Sequence, residues 1–217
     1  MARRKTVQHC RVWTRLEHPV PGGLRTLARP PARPRVDRRL SPLSGRQLGS
    51  SESALSAFRA GIGLAFHRLR GVQLPVVAIG KSFGGSAIFY YAAEARIWGV
   101  PAPSAVLSIF PALPIGPLPT AELAARTYAE LFVGDADTTA GSAGADAFWS
   151  WLGGHPAAKK RYVLIHSRPG FVANHDSAQR SDRIARAVFW VPLDTLIAAV
   201  RAQFKGTRLS AATVVRR

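Results

Sequence analysis

Val76-Val77-Ala78-Ile79-Gly80-Lys81-Ser82-Phe83-Gly84-Gly85 decides how this chain folds. A short apolar run rich in β-branched residues stops at a glycine. A serine follows two residues later, then two more glycines, then the nearly unbroken apolar run Ala87-Ile88-Phe89-Tyr90-Tyr91-Ala92-Ala93. The pattern reads as a buried strand turning sharply into a buried helix. Strand and helix pass each other closely only if the residues two before and two after the serine are small, and Gly80 and Gly84 occupy those places. A serine at the tip of such a turn projects its hydroxyl into the same space as the backbone N–H groups that follow it.

Two other readings compete. A serine in a glycine-rich turn can simply cap the following helix. Gly80-Lys81-Ser82 also copies the end of a phosphate-binding loop, but that motif needs a glycine five residues before its last one, and Pro75 stands there. The phosphate reading fails.

The G-x-S-x-G core from Gly80 to Gly84, set between a strand and a helix, resembles the nucleophile elbow of the α/β-hydrolase superfamily, whose members include serine esterases and lipases. The resemblance covers residues 53–205, the later half of that fold. It implies a three-layer α/β architecture around a mostly parallel sheet, with the N-terminal strands missing or unrecognisable.

Outside the elbow, 217 residues with 47% hydrophobic content suffice for one domain with a sizeable core. No apolar run reaches the ~18–20 residues of a membrane span, and no apolar stretch follows the basic start as in a secretory signal, so a cytoplasmic location is expected. The one cysteine, Cys10, excludes an intramolecular disulfide framework and a multi-cysteine metal site. The six histidines lack the H-x-x-x-H spacing of a helical zinc site.

The formal charge of +18 raises the question of nucleic acid, and its distribution answers it. Residues 1–50 carry 12 lysines and arginines against 2 acids, residues 51–158 carry 6 against 7, and residues 159–217 carry 12 against 3. The stretch holding Ser82 is near neutral. The basic ends show neither a stacking pattern of aromatics nor a helix-turn-helix signature, so no specific nucleic-acid partner is expected.

The composition divides the chain into three. Residues 1–52 form an Arg/Pro-rich leader without sustained periodicity, expected to be largely disordered apart from a strand within Val7–Leu16. Residues 53–205 form the α/β domain, and 206–217 a basic tail. Within the domain, Leu55, Phe58, Ile62, Phe66 and Leu69 predict a helix over 53–70, ended by Gly71. A strand at Leu74–Ile79 precedes the elbow and a helix from Gly84 to Trp98 follows it. Further strands are expected at Ser104–Phe110, Tyr128–Val133 and Arg161–His166, and helices at Ala145–Leu152 and Leu193–Phe204. The proline-rich loop 111–119 serves either as an apolar substrate wall or as a cover over the core. With its early strands absent, the domain would expose a strand edge and apolar helix faces, which predicts self-association.

Serine acyl transfer needs a base for the hydroxyl proton and a carboxylate to orient that base. In the superfamily these follow in the order serine, acid, histidine. The chain offers Ser82, then Asp137 or Asp135 in Gly134-Asp135-Ala136-Asp137, then His175 in a turn-rich loop, each just past an expected strand. In the superfamily the acid often lies in a G-x-x-D turn after its strand, which Gly134 to Asp137 matches, so the resemblance favours Asp137, with Asp135 the alternative. His166 competes with His175, but its place inside a strand marks it as a core histidine. The resemblance implies that the Phe83 N–H is one oxyanion donor. For the second, the early loop supplies only Pro21-Gly22-Gly23. The implied activity is hydrolysis of a small carboxylic ester through an acyl-enzyme, without metal or organic cofactor. The alternative is a truncated, non-catalytic relative or a basic binding module.

Overall fold

The computed structural model describes residues 12–13, 51–69 and 75–214; the side chains of residues 12, 13, 51 and 205–214 lie outside that description. The expected disorder of the leader, and most of the proposed Val7–Leu16 strand, fall outside the described residues. Two residues of that strand do pair. Val12–Trp13 (β1) runs antiparallel to the elbow strand, with Val12 opposite Ala78.

The domain begins with helix α1, Ser51–Arg68. Then come β2 (Val77–Lys81), α2 (Phe83–Glu94), β3 (Ala105–Ile109), β4 (Tyr128–Gly134), α3 (Ala143–Trp151) and β5 (Lys160–Ile165). The sheet order is β1-β2-β3-β4-β5, and β2 to β5 are all parallel. The elbow strand starts later than its apolar run suggests and continues through Lys81.

The central strands β3 and β4 read as nearly continuous apolar runs because both faces of the sheet are covered there, whereas β5 opens with Lys160-Arg161 and is mostly half-buried or exposed. Ala78, Val106, Ala129, Leu131 and Val133 face α1, α2 and α3, where Ile62, Phe89, Tyr91 and Phe148 complete one core. Their neighbours Ala105, Leu107, Ile109 and Phe132 face the opposite way, against Phe189, Leu196 and Val200. A three-layer α/β domain results. Among the described residues no helix is long and apolar enough to cross a membrane.

Helix α2 is buried along most of its length, which its lack of polar residues anticipates. Its assigned end is Glu94, earlier than Trp98, but the helical path continues. The Trp98 N–H donates to the Glu94 carbonyl at 2.9 Å, and Gly99, at φ 69°, closes the turn with bonds from Gly99 to Arg96 and Val100 to Ala95.

Two expectations need correction. His166 is not a strand or core residue: β5 ends at Ile165, and the His166 side chain is 72% exposed. The last helix begins well before Leu193. Asp182 caps it by accepting the N–H groups of Ile184 and Ala185, opening α4 (Arg183–Ala185), a π-helical turn (Arg186–Trp190) and α5 (Val191–Val214). The expected start at Leu193 falls one residue past Pro192, whose nitrogen has no proton to donate to a preceding turn. The π turn before it accommodates that missing donor inside a continuous helical path.

Candidate active site

Ser82, Asp137 and His175 follow β2, β4 and β5, at the carboxyl end of the parallel sheet. That end is where open α/β sheets build their sites. Ser82 sits at φ 57° and ψ −126°, a left-handed conformation that a side-chain-bearing residue rarely adopts. Such backbone costs about 1–3 kcal/mol and persists only where its surroundings enforce it. Here the Ser82 N–H donates to the Ile109 carbonyl at 3.0 Å, and the Ser82 carbonyl accepts from Ser86 at 3.2 Å and Ala112 at 3.1 Å. A Cβ on Gly80 would collide with the Gly84 carbonyl, so the small residues around the serine are a steric requirement. The Ser82 side chain makes no capping bond to α2, and the capping reading is set aside. Phe83 is the first residue of α2, so its N–H lacks an intrahelical partner and opens beside the serine.

The two carboxylates after β4 part company. Asp137 is buried, and its Oδ1 accepts the N–H groups of Thr139 and Ala140 at 2.9 and 3.0 Å. Its Oδ2 lies 2.9 Å from Nδ1 of His175. Asp135 is exposed and turned toward the β5 loop, where it accepts the Ser167 N–H at 2.8 Å and the Ser167 hydroxyl. These bonds from Ser167 hold the Asp135 carboxyl below its usual range, with a smaller contribution from His166 at 3.5 Å.

His175 arrives on a loop in which Phe171, Ala173, His175 and Ser177 are buried while the residues between them are exposed. The alternation carries Asp176 outward, away from the imidazole beside it. Gly134 lets this loop approach, since a Cβ there would strike the Ala173 carbonyl. The Phe110 ring lies 6.1 Å from the imidazole, on a residue at φ 50° just past β3. Of the other histidines, His155 bonds the Thr127 carbonyl through Nε2 at 2.8 Å and His67 is exposed. His9 and His18 lie outside the described residues, as does Pro21-Gly22-Gly23.

The proline-rich loop packs over the core. Pro111, Ile115 and Pro119 are buried, Tyr90 Oη donates to the Gly116 carbonyl at 3.0 Å, and Trp151 Nε1 donates to Pro119 at 2.8 Å. Leu113 remains 64% exposed, one residue past the Ala112 N–H bound to Ser82. Among the described residues no cluster of three or more His, Cys, Asp or Glu is placed to hold a metal ion.

No family model matches the chain, and no curated protein does. Solved structures do. An inhibited esterase B from Lactobacillus rhamnosis superposes with a TM-score of 0.52 at 14% identity, covering 73% of this chain and 64% of that one.

The chain has the α/β-hydrolase fold.

MGS-M1, an α/β-hydrolase enzyme from a Medee basin deep-sea metagenome library, is similar over 70% of this chain and 64% of its own, at 18% identity and a TM-score of 0.47. The chain thus spans under two thirds of the length of either neighbour. Sequence reasoning missed Phe110 and the Asp135–Ser167 bonds. It also missed the approach of Lys81 to Asp176, an ion pair between residues 95 positions apart that no local pattern encodes.

Proposed function

We propose that this chain is a serine hydrolase that cleaves carboxylic esters through an acyl-enzyme. Ser82 is the nucleophile, His175 the base, Asp137 the acid that orients it, and the Phe83 N–H one oxyanion donor. The observation that supports this most is the bond between Nδ1 of His175 and Oδ2 of a buried Asp137. It sets the tautomer with the proton on Nδ1, leaving Nε2 as the acceptor.

In this route Ser82 Oγ attacks the ester carbonyl as its proton passes to Nε2 of His175. The carbonyl oxygen becomes an oxyanion facing the start of α2, where the Phe83 N–H donates to it. Collapse breaks the bond to the alcohol oxygen, which leaves with the proton from Nε2. Water then repeats the sequence on the acyl-enzyme and releases the acid. Each proton travels through His175, so the route calls for no metal or organic cofactor. The exposed Leu113 beside the elbow favours esters with an apolar acyl or alcohol group.

The test is hydrolysis of a series of p-nitrophenyl esters by the full chain and by Ser82→Ala. The variant should lose turnover while nearly keeping its melting temperature, because Ser82 is buried but the change removes a single hydroxyl oxygen and no carbon. Substantial turnover by the purified variant overturns the assignment.

A further inference from the structure

Lys81 is the residue before Ser82 and Asp176 the residue after His175, and their charged groups meet: Nζ of Lys81 lies 3.6 Å from Oδ1 of Asp176. Exposed ion pairs contribute little, because two mobile, solvated side chains must be ordered to form them. This pair is lopsided. The Lys81 side chain is only 19% exposed while that of Asp176 is 73% exposed. Lys81 has therefore lost much of its freedom before it meets its partner. Burial lowers the Lys81 pKa, and the carboxylates that face it, Asp176 first and Asp137 after it, act in the opposite sense. Asp176 is itself steadied by the Gln179 amide, which donates to Oδ1 at 3.2 Å.

The His175 loop has bonds of its own, from the Ala173 N–H to Ser167 Oγ at 3.0 Å and from Arg180 to the Gly170 carbonyl at 3.1 Å, and the Lys81–Asp176 pair adds a link to the turn of Ser82. Nine residues separate the end of β5 from His175, and the side-chain hydrogen bond described for the imidazole is the one to Asp137. Serine and histidine come from different loops, and a misplacement of about 1 Å between reacting groups can cost on the order of 10²-fold in rate.

We propose that Lys81 is a positioning residue: through Asp176 it ties the turn that presents Ser82 to the loop that delivers His175. The role rests on the assignment of those two residues as nucleophile and base, whereas the tether between the loops is measurable without turnover. The full chain is compared with Lys81→Met, Lys81→Arg, Asp176→Asn and the Lys81→Met/Asp176→Asn double variant. Two readouts are taken: amide hydrogen exchange over residues 170–178, and the rate of fluorophosphonate labelling.

Lys81→Met and Asp176→Asn should each speed exchange over 170–178 and slow labelling by roughly ten- to a hundredfold. Lys81→Arg should retain most of both properties, and the double variant should be no worse than either single change. With esters, the loss should fall on kcat and leave KM nearly unchanged. Wild-type exchange in the exposed-site variant Asp176→Asn overturns the tether, even if Lys81→Met fails to fold. Faster exchange with undiminished labelling overturns the positioning role while the serine-hydrolase reading stands. A wild-type chain that takes no label overturns both together.

Discussion

Nδ1 of His175 lies 2.9 Å from Oδ2 of Asp137, whose other oxygen accepts two backbone N–H groups. Three donors surround one buried carboxylate, so its charge is satisfied and its plane is fixed. A carboxylate held this way stabilises an imidazolium as it forms and keeps the ring from turning. Asp135, two residues earlier, spends its hydrogen bonds on Ser167.

Asp137→Asn is expected to harm ester hydrolysis far more than Asp135→Asn. An amide at the orienting position favours the wrong tautomer, a loss on the order of 10⁴-fold in triads of this kind. Steady-state kinetics of both variants check the ranking, and the reverse order would move the acid to Asp135.

Gly134→Ala should damage activity out of proportion to stability. The new methyl group would meet the Ala173 carbonyl, two residues before His175, and push that loop off Asp137. Overpacking of this sort costs about 1–3 kcal/mol. Thermal melts and labelling rates measured together separate the two effects, and wild-type labelling would contradict the close approach.

Ser86→Ala should loosen the floor of the elbow. The fully buried Ser86 hydroxyl donates to the Ala112 carbonyl at 2.6 Å, beside the Ala112 N–H that holds the Ser82 carbonyl. Losing a part-buried hydrogen bond of this kind costs about 0.5–1.5 kcal/mol. Urea unfolding measures it, and an unchanged midpoint would show that the bond is dispensable.

Glu130 should make stability fall as pH rises. Burial lifts its carboxyl above the ordinary 4.5, and Arg161, 3.4 Å from Oε1, offsets part of this. Among the described residues its Oε2 has no hydrogen-bond partner. A raised acid holds its proton more tightly folded than unfolded, so the native state loses stability between 4.5 and the folded pKa, and the loss persists above it. Glu130→Gln should flatten that part of the stability curve in denaturant titrations across pH. Curves of equal slope would contradict the assignment.

The elbow was legible because its constraint is local: small residues two before and two after Ser82, between an apolar strand and an apolar helix. The central strands β3 and β4 are legible for a related reason, since burial on both faces removes most polar residues from the run. What stayed hidden depends on distant partners. The last helix starts at the Asp182 cap, well before Leu193, because the π turn at Arg186–Trp190 carries the helical path through to Pro192. His166 sits one residue past the end of β5, where its side chain is exposed beside Asp135, and a strand end cannot be placed to the residue from an apolar run. Phe110 looks like an ordinary strand residue; its φ of 50° follows from the way β3 meets the elbow.

The central claim is that Ser82 is an activated nucleophile, and covalent labelling tests it most directly. The full chain is incubated with a fluorophosphonate, digested, and the modified peptide identified by mass spectrometry. The account predicts one adduct, on Ser82, absent from Ser82→Ala and from heat-denatured chain, and much slower to form in His175→Ala. A folded wild-type chain that takes no label, or one labelled at another residue, would contradict it.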